Sequence, residues 1–436
     1  MHRVHVRRAS LWFVGAGVAV AGCSSGPDVA ATVLVDYDHD EFATQFLRFF
    51  PEHVRVHPGD TVAFKQAWTG EPHTVTFGTS VDEVLAVTRP LLADYGHLPQ
   101  SEVPLEVLEE FYGAEMTLPR WFTPPPDEGT SDGATGGEAA PDDVPAGPPT
   151  VSDTLVETPP LPQALAQPCV VREGELPEDT SGPCEDQELT PFEGTEVYYN
   201  SGVIPYEGPA GNQFVFEVSD TIAPGTYGYY CAVHGSIQSG VIEVVPADEP
   251  VDGPEQVASA LRSEITTTLQ PYSAVFAGAA RGEYSWKGDD HGWNYAGLLT
   301  DDSAFSGIIN EFVPETVTAA VNEPVTWRMF GPHSISFDVP EYFPIVEFLE
   351  DGTVRSNEAI YTAAGGAPEV VPPEDPSVPI VVDGGTWDGS GYWSSGVLHS
   401  EAYVEYTLRV SEPGSYPFAC LIHPPMVGTL QITAPP

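Results

Sequence analysis

What most limits the fold of this chain is that it carries one pattern twice. Residues 224–234 read Pro-Gly-Thr-Tyr-Gly-Tyr-Tyr-Cys-Ala-Val-His, and residues 413–423 read Pro-Gly-Ser-Tyr-Pro-Phe-Ala-Cys-Leu-Ile-His. A second shared block lies upstream: residues 72–77 are Pro-His-Thr-Val-Thr-Phe, and residues 332–337 are Pro-His-Ser-Ile-Ser-Phe. Residues 54–64 correspond in the same order to 317–327, and 197–204 to 392–398. The period is too long for a solenoid. With 436 residues there is length for two whole domains with cores of their own.

The repeated segments alternate apolar with polar residues and are rich in Val, Phe, Tyr and Thr, with Pro-Gly and Gly-Asp pairs at the turns. Such strands imply an all-β chain of antiparallel sandwiches, each sheet with one buried face. Between the copies Val257, Leu261, Ile265 and Leu269 recur at i, i+4. Pro254 suits a first helical turn and Pro271 a stop, which predicts a helix over residues 254–269. Each copy is interrupted between its first histidine and its cysteine. In the first insertion, about 81–190, short helices are expected over 81–92 and 105–112. Residues 123–166, rich in Pro, Gly and acid, cannot bury enough apolar surface to order themselves. The second insertion, 340–386, reads as an irregular surface loop. The expected division is a first domain over 31–247, a helical linker over 248–270 and a second domain over 271–436.

The N-terminus reads as an export signal. Arg3, Arg7 and Arg8 precede an apolar run over 11–20, and Ala21-Gly22-Cys23 follows. That ending is similar to the lipobox of bacterial lipoproteins, which predicts cleavage after residue 22, a lipid on Cys23 and a tether over 23–30. The expected location is outside the cytoplasm, lipid-anchored to the cell membrane. No segment is long and apolar enough to span a bilayer. Acidic residues outnumber basic ones 64 to 15, and Lys65 and Lys287 are the only lysines, which argues against a nucleic-acid partner.

The five cysteines divide by context. Cys23 belongs to the lipobox. Cys169 and Cys184 flank a short polar segment, and outside the cytoplasm a disulfide between them is the natural assignment. Cys231 and Cys420 remain, each followed two residues later by a histidine. In the second copy His333, Cys420, His423 and Met426 provide two imidazoles, a thiolate and a thioether. This soft set suits copper cycling between Cu(I) and Cu(II), with a trigonal His2Cys core and a weak axial Met.

At these residues the chain resembles the plastocyanin/azurin family of cupredoxins, most closely the amicyanin and pseudoazurin type of ligand loop. The resemblance rests on the Pro-Gly-x-Tyr-x-x-x-Cys-x-x-His run, the Pro-His segment and the Gly closing the loop, and it covers about half of the chain, outside the insertions. It implies two Greek-key sandwiches, one type 1 copper in each, and electron exchange with a protein redox partner. In the first copy it implies His73, Cys231 and His234 as ligands. Ile237 stands where Met426 stands, with Gln238 next. Either Ile237 sits there without coordinating, or Gln238 binds weakly. By the same resemblance, Thr74 and Ser334 hold the thiolate or the neighbouring backbone, and Pro424 and Pro425 form an apolar collar around His423 for electron exchange. His39, His53, His57, His97, His291 and His399 read as surface residues.

Two sandwiches of this kind also form the core of two-domain multicopper oxidases and copper nitrite reductases. Those need further histidines, commonly as His-x-His pairs or beside the copper cysteine. This chain has no His-x-His, and Tyr230 and Ala419 precede the two cysteines. The expectation is therefore a membrane-tethered electron carrier and not an enzyme. Two other readings stand beside it: a copper-handling lipoprotein without a redox partner, and a first domain that is a metal-free interaction module.

Overall fold

The computed structural model describes residues 29–37, 39, 41–66, 71–98, 102–104, 106–107, 163–174, 184–204, 212–286, 292–300, 307–340, 344–349, 352–366, 379–399 and 403–434. The export signal, Cys23, His291, the expected helix over 105–112 apart from residues 106–107, and residues 123–162 lie outside that set.

Alternating burial along the strands makes two β-sandwiches. In the first half, a four-stranded sheet runs in the order Phe49–Phe50, Ala31–Val35, Thr61–Gln66, Gln213–Glu217. It faces a six-stranded sheet in the order His53–Val56, Gly235–Val244, Gly225–Cys231, Thr76–Phe77, Tyr198–Ser201, Pro168–Val171. The second half repeats this layout. One sheet runs Ile380–Trp387, Val404–Val410, Val325–Met329, Asn294–Leu299, Ile308–Val313, and the other Thr316–Ala320, Val427–Thr433, Gly414–Ala419, Ser336–Phe337, Trp393–Ser394. Phe64 in one core and Trp327 in the other are wholly buried at corresponding places.

The sheets are mixed rather than purely antiparallel. Ala31–Val35 runs parallel to Thr61–Gln66, and His53–Val56 parallel to Gly235–Val244; the second half has the matching pairs. The chain crosses from one sheet to the other between such strands, so each returns in the direction it left. Alternation along a strand reports the buried face and not the partner's direction.

The halves share structure. Thr44–Gln45, from the first half, pairs antiparallel with Ile308–Val313 and extends the second half's sheet. Phe42, Phe46 and Phe50 pack with Ile265 and Tyr272 of the inter-copy helix and with Tyr295, Leu298 and Phe330 of the second half. That helix spans Pro254–Ala280, so Pro271 does not end it. An interior proline costs about 3 kcal/mol. Beyond it, Tyr272 and Ala279 are buried and Val275 and Phe276 pack on the same cluster. Each large apolar side chain so buried returns roughly 1.5–3 kcal/mol, enough to carry the helix through. The helix expected over 81–92 is Thr79–Tyr95, again with a proline, Pro90, inside it.

Two expectations about the insertions are corrected. Residues 163–166 form a short helix, Gln163–Ala166, with all four residues buried. Gln163 Nε2 donates to the Val354 carbonyl and Ala166 packs in the second half's core, while Leu165 packs in the first half's core and Asn200 Nδ2 donates to the Ala164 and Leu165 carbonyls, so burial between the two halves orders a segment whose composition alone could not. The second insertion includes the hairpin Val346–Phe348 with Val354–Ser356 and the helix Glu358–Tyr361, and buries Ile345, Val346, Val354 and Ile360. Cys169 and Cys184 form a disulfide.

Candidate metal centres

At corresponding ends of the two sandwiches, each copy brings two imidazoles and a thiol together. Cys231 ends the strand Gly225–Cys231, whose pairing with Gly235–Val244 shifts register between Tyr230 and Cys231, so that Cys231 lies opposite Gly235. The turn is closed by the His234 amide donating to the Cys231 carbonyl. His73 enters from the segment before Thr76–Phe77. Its Nδ1 lies 3.9 Å from Cys231 Sγ, and His234 Nδ1 lies 3.5 Å from it. In the second copy, His333 Nδ1 and His423 Nδ1 lie 3.8 and 3.6 Å from Cys420 Sγ and 3.1 Å from each other. The donor atoms within each trio all lie within 4.8 Å of one another. Met426 is fully buried in the second loop, which is closed by the Cys420 amide donating to the Met426 carbonyl and the Met426 amide to the His423 carbonyl.

The residue after each strand histidine has a definite role. The Thr74 amide donates to Cys231 Sγ at 3.3 Å, and its hydroxyl accepts the Ala232 amide at 2.7 Å. In the second copy the Ser334 amide donates to Cys420 Sγ, and its hydroxyl accepts the Leu421 amide. Behind them run buried relays, Thr74–Thr76–Asn200 and Ser334–Ser336–Ser394. The hydroxyls thus hold the backbone beside each sulfur, and the amides meet the sulfur itself. His333 is fixed further by donating from Nε2–H to the Phe330 carbonyl, which leaves Nδ1 free to coordinate.

The alternatives at the first copy's axial position separate in space. Ile237 points away, to an apolar cluster with Val103, Val107 and Leu92. Gln238, fully buried, sets its Oε1 3.0 Å from His73 Nδ1 and 2.9 Å from His234 Nδ1. Counting residues puts Ile237 opposite Met426, but successive side chains on a strand face opposite ways, and the loop's register shift leaves Gln238 on the inner face.

Electrostatics favour a cation in both trios. Burial opposes ionisation of Cys231 and Cys420, but the facing imidazoles outweigh it and hold both thiols well below their ordinary pKa. Burial likewise opposes charge on His234 and His423, yet the thiolates and Glu71 raise them to about 10 and about 9. A thiolate and two Nδ1 atoms, with a carboxamide oxygen beside them in the first copy and a methionine buried in the same loop of the second, form the soft donor set that copper takes; zinc and hard cations favour four N/S ligands or oxygen cages. Copper is the metal these residues fit.

Glu71 was not singled out by the sequence. It lies 4% exposed between the halves, Oε2 2.9 Å from His234 Nε2 and Oε1 3.7 Å from His423 Nε2. Burial opposes its charge, but the two imidazoles outweigh it and hold it far below the usual carboxylate range. Laying the copies side by side would have exposed it: the second copy has Gly331 where the first has Glu71, each just before the Pro-His pair. The arrangement also corrects the apolar collar. Pro424 is half-buried and Pro425 exposed, but the His423 they flank is fully buried. Of the histidines read as surface residues, His53, His97 and His399 are exposed and His39 and His57 half-buried.

No protein-family model and no curated protein matches the chain. Solved structures do. Auracyanin from Roseiflexus castenholzii is 14% identical with a TM-score of 0.21, the match covering 51% of this chain and 100% of that one. A purple cupredoxin from Nitrosopumilus maritimus is 16% identical with a TM-score of 0.14, covering 28% of this chain and 83% of that one. A copper-containing nitrite reductase from Thermus scotoductus SA-01 is 12% identical with a TM-score of 0.18, covering 94% of this chain and 69% of that one. Multicopper oxidases match across 92% of the chain. These neighbours overturn the expectation that the chain is not an enzyme, because copper enzymes stand among the structures similar to it across both halves. The lack of a His-x-His pair tests only ligands adjacent in sequence, whereas folding gathers donors from separate strands, as it does His333 and His423.

Proposed function

The fold being that of cupredoxins, we propose that each half holds one type 1 copper and that the chain passes single electrons through these centres, outside the cytoplasm, on a lipid anchor at Cys23. The carrying observation is the convergence of two Nδ1 atoms on one thiolate in both copies. Copper bound there supplies one-electron exchange between Cu(I) and Cu(II). The protein's part is to keep the donor geometry unchanged while charge changes. Thr74 and Ser334 pin the backbone beside each sulfur, and the sandwich ends hold the histidines, so little has to move when an electron arrives. Gln238 would offer a carboxamide oxygen to the copper of the first centre and Met426 a thioether to that of the second, which would set their potentials apart, the glutamine side lower.

The anchor rests on the lipobox; no helix among the described residues is long and apolar enough to cross a membrane. The partner is a redox protein, and the chain's formal net charge of −49 favours a basic face on it. The test is copper stoichiometry and the visible spectrum of the wild type beside Cys231→Ser and Cys420→Ser. Two coppers and intense, reversibly bleached colour are expected, with one centre lost in each variant; colourless wild-type protein that takes up no copper refutes the proposal. Cys23→Ser should move the protein from the membrane to the soluble fraction.

A further inference from the structure

In both copies the loop histidine turns its outer nitrogen away from solvent and toward the same carboxylate. His234 Nε2 lies 2.9 Å from Glu71 Oε2, and His423 Nε2 lies 3.7 Å from Glu71 Oε1. Their side chains are 8%, 5% and 0% exposed for His234, Glu71 and His423, so the three groups meet away from bulk solvent. Each imidazole presents Nδ1 to its own thiolate and Nε2 to Glu71. His423 Nε2 has no hydrogen-bond partner, and Glu71 Oε1 is the carboxylate oxygen beside it. The sequence ties Glu71 to the first centre, two residues before His73, while the fold sets it against the second. Gln66 Nε2 donates to the Glu71 carbonyl and holds that segment in place.

We propose that Glu71 is a positioning residue that joins the two centres into one electronically coupled pair, its carboxylate accepting Nε2–H from His234 on one side and facing Nε2 of His423 across a 3.7 Å ion-pair contact on the other. The proposal rests on the reading of both trios as copper centres. One electron moves along the His234–Glu71–His423 bridge; one centre is oxidised by one unit as the other is reduced by one, and both Nε2 protons stay where they are. The gaps to be crossed without covalent bonds are the two contacts to the carboxylate, and every other segment is bonded. The same arrangement closes the histidine edge of each centre to solvent, so electrons from outside enter by another face and redistribute internally.

The test compares the full-length, copper-loaded wild type with Glu71→Gln and Glu71→Ala. After a pulse that delivers less than one electron per chain, the wild type should redistribute it between the two centres at a rate independent of protein concentration. Glu71→Ala should keep two coppers and its colour while redistribution slows about ten-fold or more, the scale of losing an outer partner of a metal ligand. Glu71→Gln, which keeps a carbonyl acceptor, should fall between. In the reduced, diamagnetic protein the imidazole Nε2–H protons of His234 and His423 should exchange slowly with solvent, and faster in Glu71→Ala; a merely structural glutamate would leave them unchanged. A blue two-copper Glu71→Ala protein with unaltered redistribution, or wild-type redistribution proportional to concentration, overturns the bridge and leaves the copper reading intact. A wild type that binds no copper overturns both.

Discussion

Replacing Gly297 with alanine should damage the second centre and spare the first. Gly297 lies where the strand Asn294–Leu299 shifts register against Ile308–Val313, with φ at +79°. A Cβ there would run into the Phe330 carbonyl oxygen and His333 Nε2, the two atoms whose 2.8 Å hydrogen bond fixes the ligand ring. Left-handed backbone costs an L-residue roughly 1–2 kcal/mol. A broken bond that strands a buried acceptor costs about 1–3 kcal/mol more. The total, about 2–5 kcal/mol, is a large part of the 5–15 kcal/mol typical of a folded domain, yet leaves it folded. For a domain of this size it corresponds to a melting midpoint lower by roughly 10 °C. A ring no longer held from behind should also bind metal about 10–100-fold more weakly. Calorimetry of the metal-free protein reads the first effect, and Cu(I) titration against a competing chelator the second. Since His73 is held by other residues, one site of the two should keep its affinity. An unchanged midpoint with two unchanged affinities would refute the account of how His333 is positioned.

Ser334→Ala should cost about 1–3 kcal/mol in chemical denaturation, because the buried Leu421 amide loses its acceptor; Ser334→Thr, the residue the first copy uses, should cost less. Gln238→Met should raise the first centre's reduction potential toward that of the second, read by redox titration; no change would mean that the Gln238 oxygen is not a ligand. Removing the disulfide with Cys169→Ala and Cys184→Ala together should lower stability by about 3 kcal/mol, as expected for its sequence separation of 15. Burial raises Asp36 to about 6 from 3.8, against the opposing pull of His73 and the Phe46, Tyr37 and Leu47 amides. The folded, metal-free protein therefore binds that proton more tightly than the unfolded chain does. Stability should fall as pH rises from about 4 to about 6, by on the order of 3 kcal/mol, and Asp36→Asn should flatten the slope in that window.

The duplication, the two sandwiches, the donor types and the Cys169–Cys184 pairing were legible in the sequence because each depends on short-range rules. Strand patterning has period two, a tight turn after a strand needs Cys-x2-His spacing to put both side chains on one side, and corresponding blocks recur in the same order. Tertiary structure decided what those rules do not reach. It chose Gln238 over Ile237 through one register shift at Cys231. It carried a helix through Pro271 because Tyr272 and Ala279 had a core to enter. It ordered residues 163–166 between the two halves, and placed Glu71 between His234 and His423. Apart from the hairpin's own register at Cys231, the deciding energy comes from contacts between segments far apart in the chain. Local periodicity carries no record of such contacts, since a burial pattern states which face is covered and not what covers it.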